Sequence, residues 1–116
     1  MNFNHFLTSY MPNINIGSKI HFENMLQESV LAEKLGYTTV SIPEHHLINL
    51  LMMPSPLQMA VKIASMTKKI NITTGIVVLP VHDMRTYAGE VASADILTNG
   101  RLILGVGRGA FPWEMK

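Results

Sequence analysis

Cysteine is absent from the sequence, which excludes disulfides, thiolate nucleophiles and cysteine-based zinc sites together. Charge is sparse. Asp, Glu, Lys and Arg make up 15% of the residues and balance to a net +1, with the basic residues scattered. A dedicated nucleic-acid binder gathers basic residues on one face, so that class is set aside. No apolar run is long enough to cross a bilayer, and Met1-Asn2-Phe3-Asn4-His5 lacks the basic region and apolar stretch of an export signal. The expectation is a cytoplasmic protein away from membranes. Linkers rich in Pro, Gly or Ser, low-complexity tracts and solenoid repeats are missing as well, so residues 1–116 are read as a single domain.

What is present is largely apolar: 47% of the residues are hydrophobic, a balance that suits a folded, buried chain. Phe3 to Tyr10 reads as a first strand, ended by Met11-Pro12-Asn13. From Lys19, apolar positions Ile20, Met25, Leu26, Val30, Leu31 and Leu35 recur near helical spacing, and Gly36 supplies the stop. A second strand runs from Tyr37 to Ile42. Ser55 before Pro56 predicts the cap and first position of a second helix reaching about Thr67. Ile70 to Leu79 is the third strand, apolar enough toward its end to be covered on both faces. Asp83 caps a third helix from Met84 to Leu97, Asn99-Gly100 ends it, and Leu102 to Val106 is the fourth strand. Strands separated by helices of this length imply parallel pairing. Both an open doubly wound sheet and part of an eightfold barrel fit.

Chemistry concentrates where strands end. Pro43 stops the second strand and delivers Glu44-His45-His46, and in parallel α/β folds that position borders the ligand crevice. Histidine is the side chain most easily moved across neutral pH, which suits proton transfer. By itself the run also reads as solvated loop residues, or as a helix cap with one histidine in the core. Gly75 interrupts an otherwise strong strand, as at a bulge, at a flat surface approaching the backbone, or under a packed helix. Gly105-Val106-Gly107-Arg108-Gly109-Ala110 formally satisfies the dinucleotide glycine fingerprint. However, Pro112 and Trp113 follow where a helix and a later acidic residue are needed. A glycine loop closely approached by a cofactor, with Arg108 for a phosphate, is one use; a tight turn with an exposed arginine is the other. His5, His21 and His82 stand singly, and no spacing of histidine or carboxylate resembles a metal cage.

Taken together, several motifs make the sequence similar to the bacterial luciferase-like flavin-dependent monooxygenases, and nearer the luciferase α subunit than the β. They are Ala32-Glu33-Lys34-Leu35-Gly36-Tyr37, Glu44-His45-His46, Ser55-Pro56, Ala64-Ser65-Met66-Thr67 with Ile70, and Thr74-Gly75-Ile76-Val77-Val78-Leu79-Pro80. Asp95 with Gly100-Arg101-Leu102, and Gly105 to Gly109, complete the set in one register. The resemblance implies an α/β fold, the amino-terminal half of a (β/α)8 TIM barrel with about four parallel β/α units and flavin at the carboxyl ends of the strands. It implies that His45 transfers protons while reduced flavin reacts with oxygen, with Glu44 and His46 as supporting neighbours. Thr74, Gly75 and Ile76 would form a bulge, often with a cis peptide, that backs the flavin ring. Gly107 would lie beside the ring and Arg108 would reach the cofactor phosphate.

Two departures stand out. Where the family has a proline and then an arginine after Leu79-Pro80, this chain has Met84 and Thr86 with Arg85 displaced by one, which puts the start of the third helix in question. A complete barrel also needs roughly 250 residues, so the chain reads as a fragment inactive on its own. The implied function is oxidation of a small organic substrate such as an aldehyde by reduced FMN and O2. Its partners would be that substrate, a flavin reductase supplying reduced flavin, and further subunits in a homo- or hetero-oligomer. The deazaflavin F420 is the alternative cofactor, and a non-catalytic half-barrel that self-associates is the alternative of another class.

Overall fold

Stretches of strand and helix period alternate along the chain. The computed structural model, which describes residues 1–49 and 51–115, turns them into strands and helices in that order. They are β1 (Asn4–Phe6), α1 (Ser18–Lys34), β2 (Thr39–Ile42), α2 (Pro56–Met66), β3 (Asn71–Thr74), β4 (Val77–Val78), α3 (Met84–Leu97), β5 (Leu102–Ile103) and β6 (Val106–Gly107). Short 3-10 turns occupy Ile14–Ile16, Leu79–Val81 and Pro112–Met115. These strands pair in parallel, in the orders β1-β2-β3-β5 and β4-β6. Each successive strand of the larger sheet is laid beside the one before it in a single direction, and right-handed crossovers then put every helix on the same face. A doubly wound sheet reverses at a switch point; this one does not, so of the two architectures left open the barrel segment is the one adopted.

Alternation along the strands sorts the two faces. Val40, Ile42 and Ile72 point toward the helices and pack with Met25 and Ala32 of α1 and with Met59, Ala60, Ile63 and Ala64 of α2. Tyr87 and Ala94 of α3 close on Leu57 and Val77. On the opposite face Phe6, Ser41, Thr73 and Ile103 fall in one register line, and Phe6 and Ile103 are 54% and 49% exposed. Gly36 ends α1 as expected: its positive φ of 87° lets the Tyr37 N–H return to the Ala32 carbonyl at 3.0 Å. Asp83 caps α3, accepting from the Arg85 N–H at 2.9 Å. That places the start of the helix at Met84. Ser55 makes no side-chain cap bond, so the expected cap of α2 reduces to Pro56 at its first position.

All four expected strands are shorter than apolar content suggested, the second by Tyr37 and Thr38. The first pairs only over Asn4–Phe6; beyond it the chain turns to the loop after β2, with Tyr10 bridging Leu51. The third breaks at Gly75–Ile76, a cis peptide, and the fourth breaks between Ile103 and Val106. The two breaks lie level with each other. Across them the Thr74 hydroxyl donates to the Gly105 carbonyl at 2.8 Å and accepts the Gly105 N–H at 2.9 Å, replacing the missing ladder bonds. Hydrophobic periodicity reports which face is buried, not where a ladder is interrupted.

Two side chains fasten the α2–β3 connection to the rest. The Glu33 carboxylate accepts the N–H groups of Lys68, Lys69 and Ile70 at 3.0, 2.7 and 2.9 Å. The Arg101 guanidinium reaches the carbonyls of Ala64, Thr67, Ile70 and Thr98 at 2.8 to 3.3 Å, covering acceptors left open at the end of α2. Burial acts to raise the Glu33 pKa, but the N–H groups of Lys69, Ile70 and Lys68 and the charge of Arg101 outweigh it and hold the carboxyl below its ordinary value.

Glu33→Gln is expected to cost about 1–2 kcal/mol at neutral pH, because the anion that gathers these N–H groups is lost. A depressed carboxyl pKa stabilises the fold above the unfolded value of about 4.3, and that contribution disappears as pH falls through the folded value. Denaturation curves of the two proteins should therefore converge in acid; a difference that persists there counts against the assignment. The glycines at the strand breaks give a second contrast. A Cβ at Gly105 would overlap the Thr74 carbonyl oxygen, which is backbone, whereas one at Gly107 would meet the mobile Cδ1 of Ile76. Gly105→Ala should cost about 2–4 kcal/mol and Gly107→Ala about 1 kcal/mol, and the reverse order in thermal unfolding would refute the packing described.

Candidate functional site

Pro43 ends β2 and has no N–H to carry the ladder on. The chain past it is fastened as a short antiparallel return: His45 N–H donates to the Met53 carbonyl and Met52 N–H to the Ser9 carbonyl, both at 2.9 Å. This fixes where Glu44, His45 and His46 stand. Their side chains go two ways.

Glu44 and His46 face inward with a residue that sequence reading left without a role. The Glu44 carboxylate is wholly buried. Its Oε2 accepts the Val78 N–H of β4 at 2.8 Å, and its Oε1 accepts from His46 Nε2 at 2.5 Å and from His82 Nε2 at 2.6 Å. A carboxylate oxygen accepts, and each ring meets it as a donor in the tautomer that carries its proton on Nε2. His82 in turn stacks on Tyr87 of α3 with ring centroids 4.0 Å apart. The Tyr87 hydroxyl is buried without a partner, and burial, reinforced by the charges of Glu44 and Glu90, pushes its pKa up to about 12. His82 was expected to be a lone loop histidine; nothing in its local sequence shows a carboxylate 38 positions earlier in the chain.

Glu44, His46 and His82 are metal-ligating types, with ligand atoms within 4.8 Å of one another, a convergence the spacing gave no sign of. Two ligands of one ion, each about 2.1 Å from it, stand roughly 3.3 Å apart in a tetrahedral site. The separations of 2.5 and 2.6 Å here are hydrogen-bond lengths, so the cluster is a buried carboxylate satisfied by its neighbours.

His45 points the other way, into a cavity of about 300 Å³ on the strand-end side, shared with Phe6, Gly75, Ile76, Val78 and Arg108. Arg108 is exposed at its rim. Of the residues singled out from sequence, Glu44, His45, Gly75, Ile76 and Arg108 thus meet around one space. His46, Thr74 and Gly107 lie outside its lining: His46 is engaged with Glu44, the Thr74 hydroxyl with Gly105, and the open side of Gly107 is filled by Ile76. The glycine run opens no helix, since β6 leads only to the 3-10 turn Pro112–Met115. That turn supplies what sequence reading missed. Phe111 lies 5.8 Å from the His45 ring and stacks on Trp113, and Glu114, with its side chain only 1% exposed, accepts the His46 N–H at 2.9 Å. A second cavity, of about 890 Å³, lies between α2 and α3 and touches the cluster only through His82 and Tyr87. Among the described residues no helix is long and apolar enough to cross a membrane.

The family model described as luciferase-like monooxygenase matches residues 1–116. The oxygenase component of the flavin-dependent trigonelline monooxygenase of Acinetobacter baylyi is 34% identical over 95 residues, 82% of this chain and 26% of that protein. The alkanal monooxygenase alpha chain of Photorhabdus luminescens is 27% identical over 116 residues, all of this chain and 32% of that one. In structure, the oxygenating constituent of 3,6-diketocamphane monooxygenase from Pseudomonas putida, solved with FMN, superposes with a TM-score of 0.90. It is 24% identical and is covered over 97% of this chain and 31% of its own. The chain spans about a third of the length of the curated relatives it matches.

The buried Glu44 cluster generates a test of its own. Glu44→Gln turns an amide N–H2 either toward the Val78 N–H or toward the two histidine Nε2 atoms, so at least one donor loses its acceptor and a loss of about 2–4 kcal/mol is expected. Urea unfolding at neutral pH measures it, and a loss under about 0.5 kcal/mol would contradict the three-donor arrangement.

Proposed function

We propose, from the premise that this chain belongs to the luciferase-like monooxygenase family, that it forms the amino-terminal part of a flavin site at which a small organic substrate such as an aldehyde is oxidised. The observation that carries this is the single cavity shared by His45, Gly75-Ile76 and Arg108. Its donor set fits a flavin. Ile76, Phe6 and Val78 make an apolar wall for a planar ring, His45 is an imidazole with a buried, unbonded Nδ1, and Arg108 is a cation at the rim. Residues Gly75 and Ile76 would back the ring, Arg108 would hold the phosphate as a planar cation does, and Thr74 and Gly107 would act indirectly by shaping the strand breaks. Bound reduced flavin would supply the electrons and the activation of O2. The chain's own part is to exclude water with Phe6 and Ile76 and to move a proton at the His45 ring, with Glu44 and His46 fixing the loop that carries it.

FMN is the cofactor proposed, in line with the flavin named for the trigonelline relative and the FMN in the diketocamphane structure. That relative is named as an oxygenase component, which favours a separate reductase as the source of reduced flavin. A second reading follows from a different observation. Phe6 and Ile103 are 54% and 49% exposed on one face, and β1 and β5 are the edges of the larger sheet, a surface that favours a half-barrel pairing with itself.

Titration of the chain with FMN and with F420, followed by cofactor fluorescence, separates these readings. FMN should bind, and Arg108→Ala should weaken it about ten- to a hundred-fold, as loss of a charged hydrogen bond does; tighter binding of F420 would change the cofactor. Binding of neither, together with one defined dimer in sedimentation, would leave the non-catalytic half-barrel.

A further inference from the structure

We propose that Glu114 is a positioning residue for His45, fixing its tautomer so that Nε2 is the atom that accepts a proton; this rests on the reading of His45 as the proton-transferring ring. His45 Nδ1 is buried and has no hydrogen-bond partner within the usual geometry, and the carboxylate that faces it is Glu114, with Oε1 at 3.5 Å. Glu114 is itself unusual. It is an acid on a short turn, its side chain is 1% exposed, and the His46 N–H is its hydrogen-bonded donor at 2.9 Å. A buried carboxylate needs donors, and an Nδ1–H on His45, with the nitrogen 3.5 Å from Oε1, is placed to provide another. Phe111 flanks the same ring and limits its rotation.

The arrangement has a chemical consequence. With the proton of neutral His45 on Nδ1, directed at Glu114, the lone pair is on Nε2. A proton leaving a bound molecule in the cavity bonds to Nε2, Nδ1 keeps its own, and the imidazolium so formed lies beside the Glu114 carboxylate. The proton returns from Nε2 by the same route, so no other reactant is required. Glu44 performs no such service for His45, because its oxygens are taken by Val78, His46 and His82. The Glu-His-His run therefore uses two carboxylates, one per histidine, and the second comes from 68 residues further along the chain.

Long-range proton–nitrogen correlation spectra of the histidine-labelled chain, recorded in base where free imidazole is neutral, test this without any flavin. His45→Asn identifies the His45 signals by their loss. The wild-type ring should show Nδ1 protonated and Nε2 bare. Glu114→Ala should reverse this to the Nε2–H form, while Glu114→Gln, which keeps an acceptor oxygen, should restore Nδ1–H; reversal in both variants also supports the pairing, through its charge. A wild-type ring protonated at Nε2 overturns the proposal, as does an unchanged tautomer in a Glu114→Ala chain whose amide spectrum stays native. Should Glu114→Ala not fold, the wild-type tautomer still decides, since a ring protonated at Nε2 overturns the proposal. Failure of FMN to bind would leave the tautomer result standing, so the two ideas fail separately.

Discussion

A carboxylate with no access to water must be met by donors from the protein, and Glu44 imposes that requirement on everything around it. β2 stops at Ile42, whose carbonyl takes the Gly75 N–H at 2.7 Å, and Pro43 can donate nothing to a neighbour. Val77 directs its N–H to Gly105, so the next N–H along β4, that of Val78, faces the place where β2 has run out. Glu44 fills that place with an oxygen. Its side chain continues the sheet where backbone no longer can, and its other oxygen ties in the loop through His46 and the approach to α3 through His82. One carboxylate thus holds together two stretches of chain, Glu44 to His46 and Val78 to His82, that are far apart in sequence.

The same economy explains the paired strand breaks. A sheet tolerates an interruption in one strand if its neighbour yields at the same level and the exposed polar groups find other partners. Thr74 supplies both a donor and an acceptor to Gly105, and the missing side chain at Gly105 allows the two backbones to come close enough for it. The interruption in turn presents Gly75 and Ile76 to the strand-end cavity beside His45 and Arg108. Site and sheet defect are one feature, and Thr74, Gly105 and Glu44 supply hydrogen bonds that the interrupted ladders no longer make.

On the far side of the sheet the molecule is less self-sufficient. Phe6 and Ile103 stand open on the face that lies away from the helices, and β1 and β5 have one unpaired edge each in the four-stranded sheet. Both features agree with a chain that matches about a third of the length of its relatives.

Local signals carried much of this. Gly36 ended α1, Asp83 opened α3 and Pro56 opened α2 because caps and stops act within a few residues, and the alternation of strands with helices required parallel pairing. The combined motifs pointed to the family and to His45, Gly75-Ile76 and Arg108, which the structure does bring to one cavity. What sequence alone did not reveal was long-range. Strand order decided barrel segment over doubly wound sheet; Glu44 proved to be the centre of a buried cluster; His82 and Glu114 joined the site from 38 residues beyond Glu44 and 68 beyond His46. Residue types and short spacings fix which conformations a segment prefers, whereas the partner of a buried charge depends on which segments the packed sheet brings within about 3 Å of it, and only the folded chain specifies that.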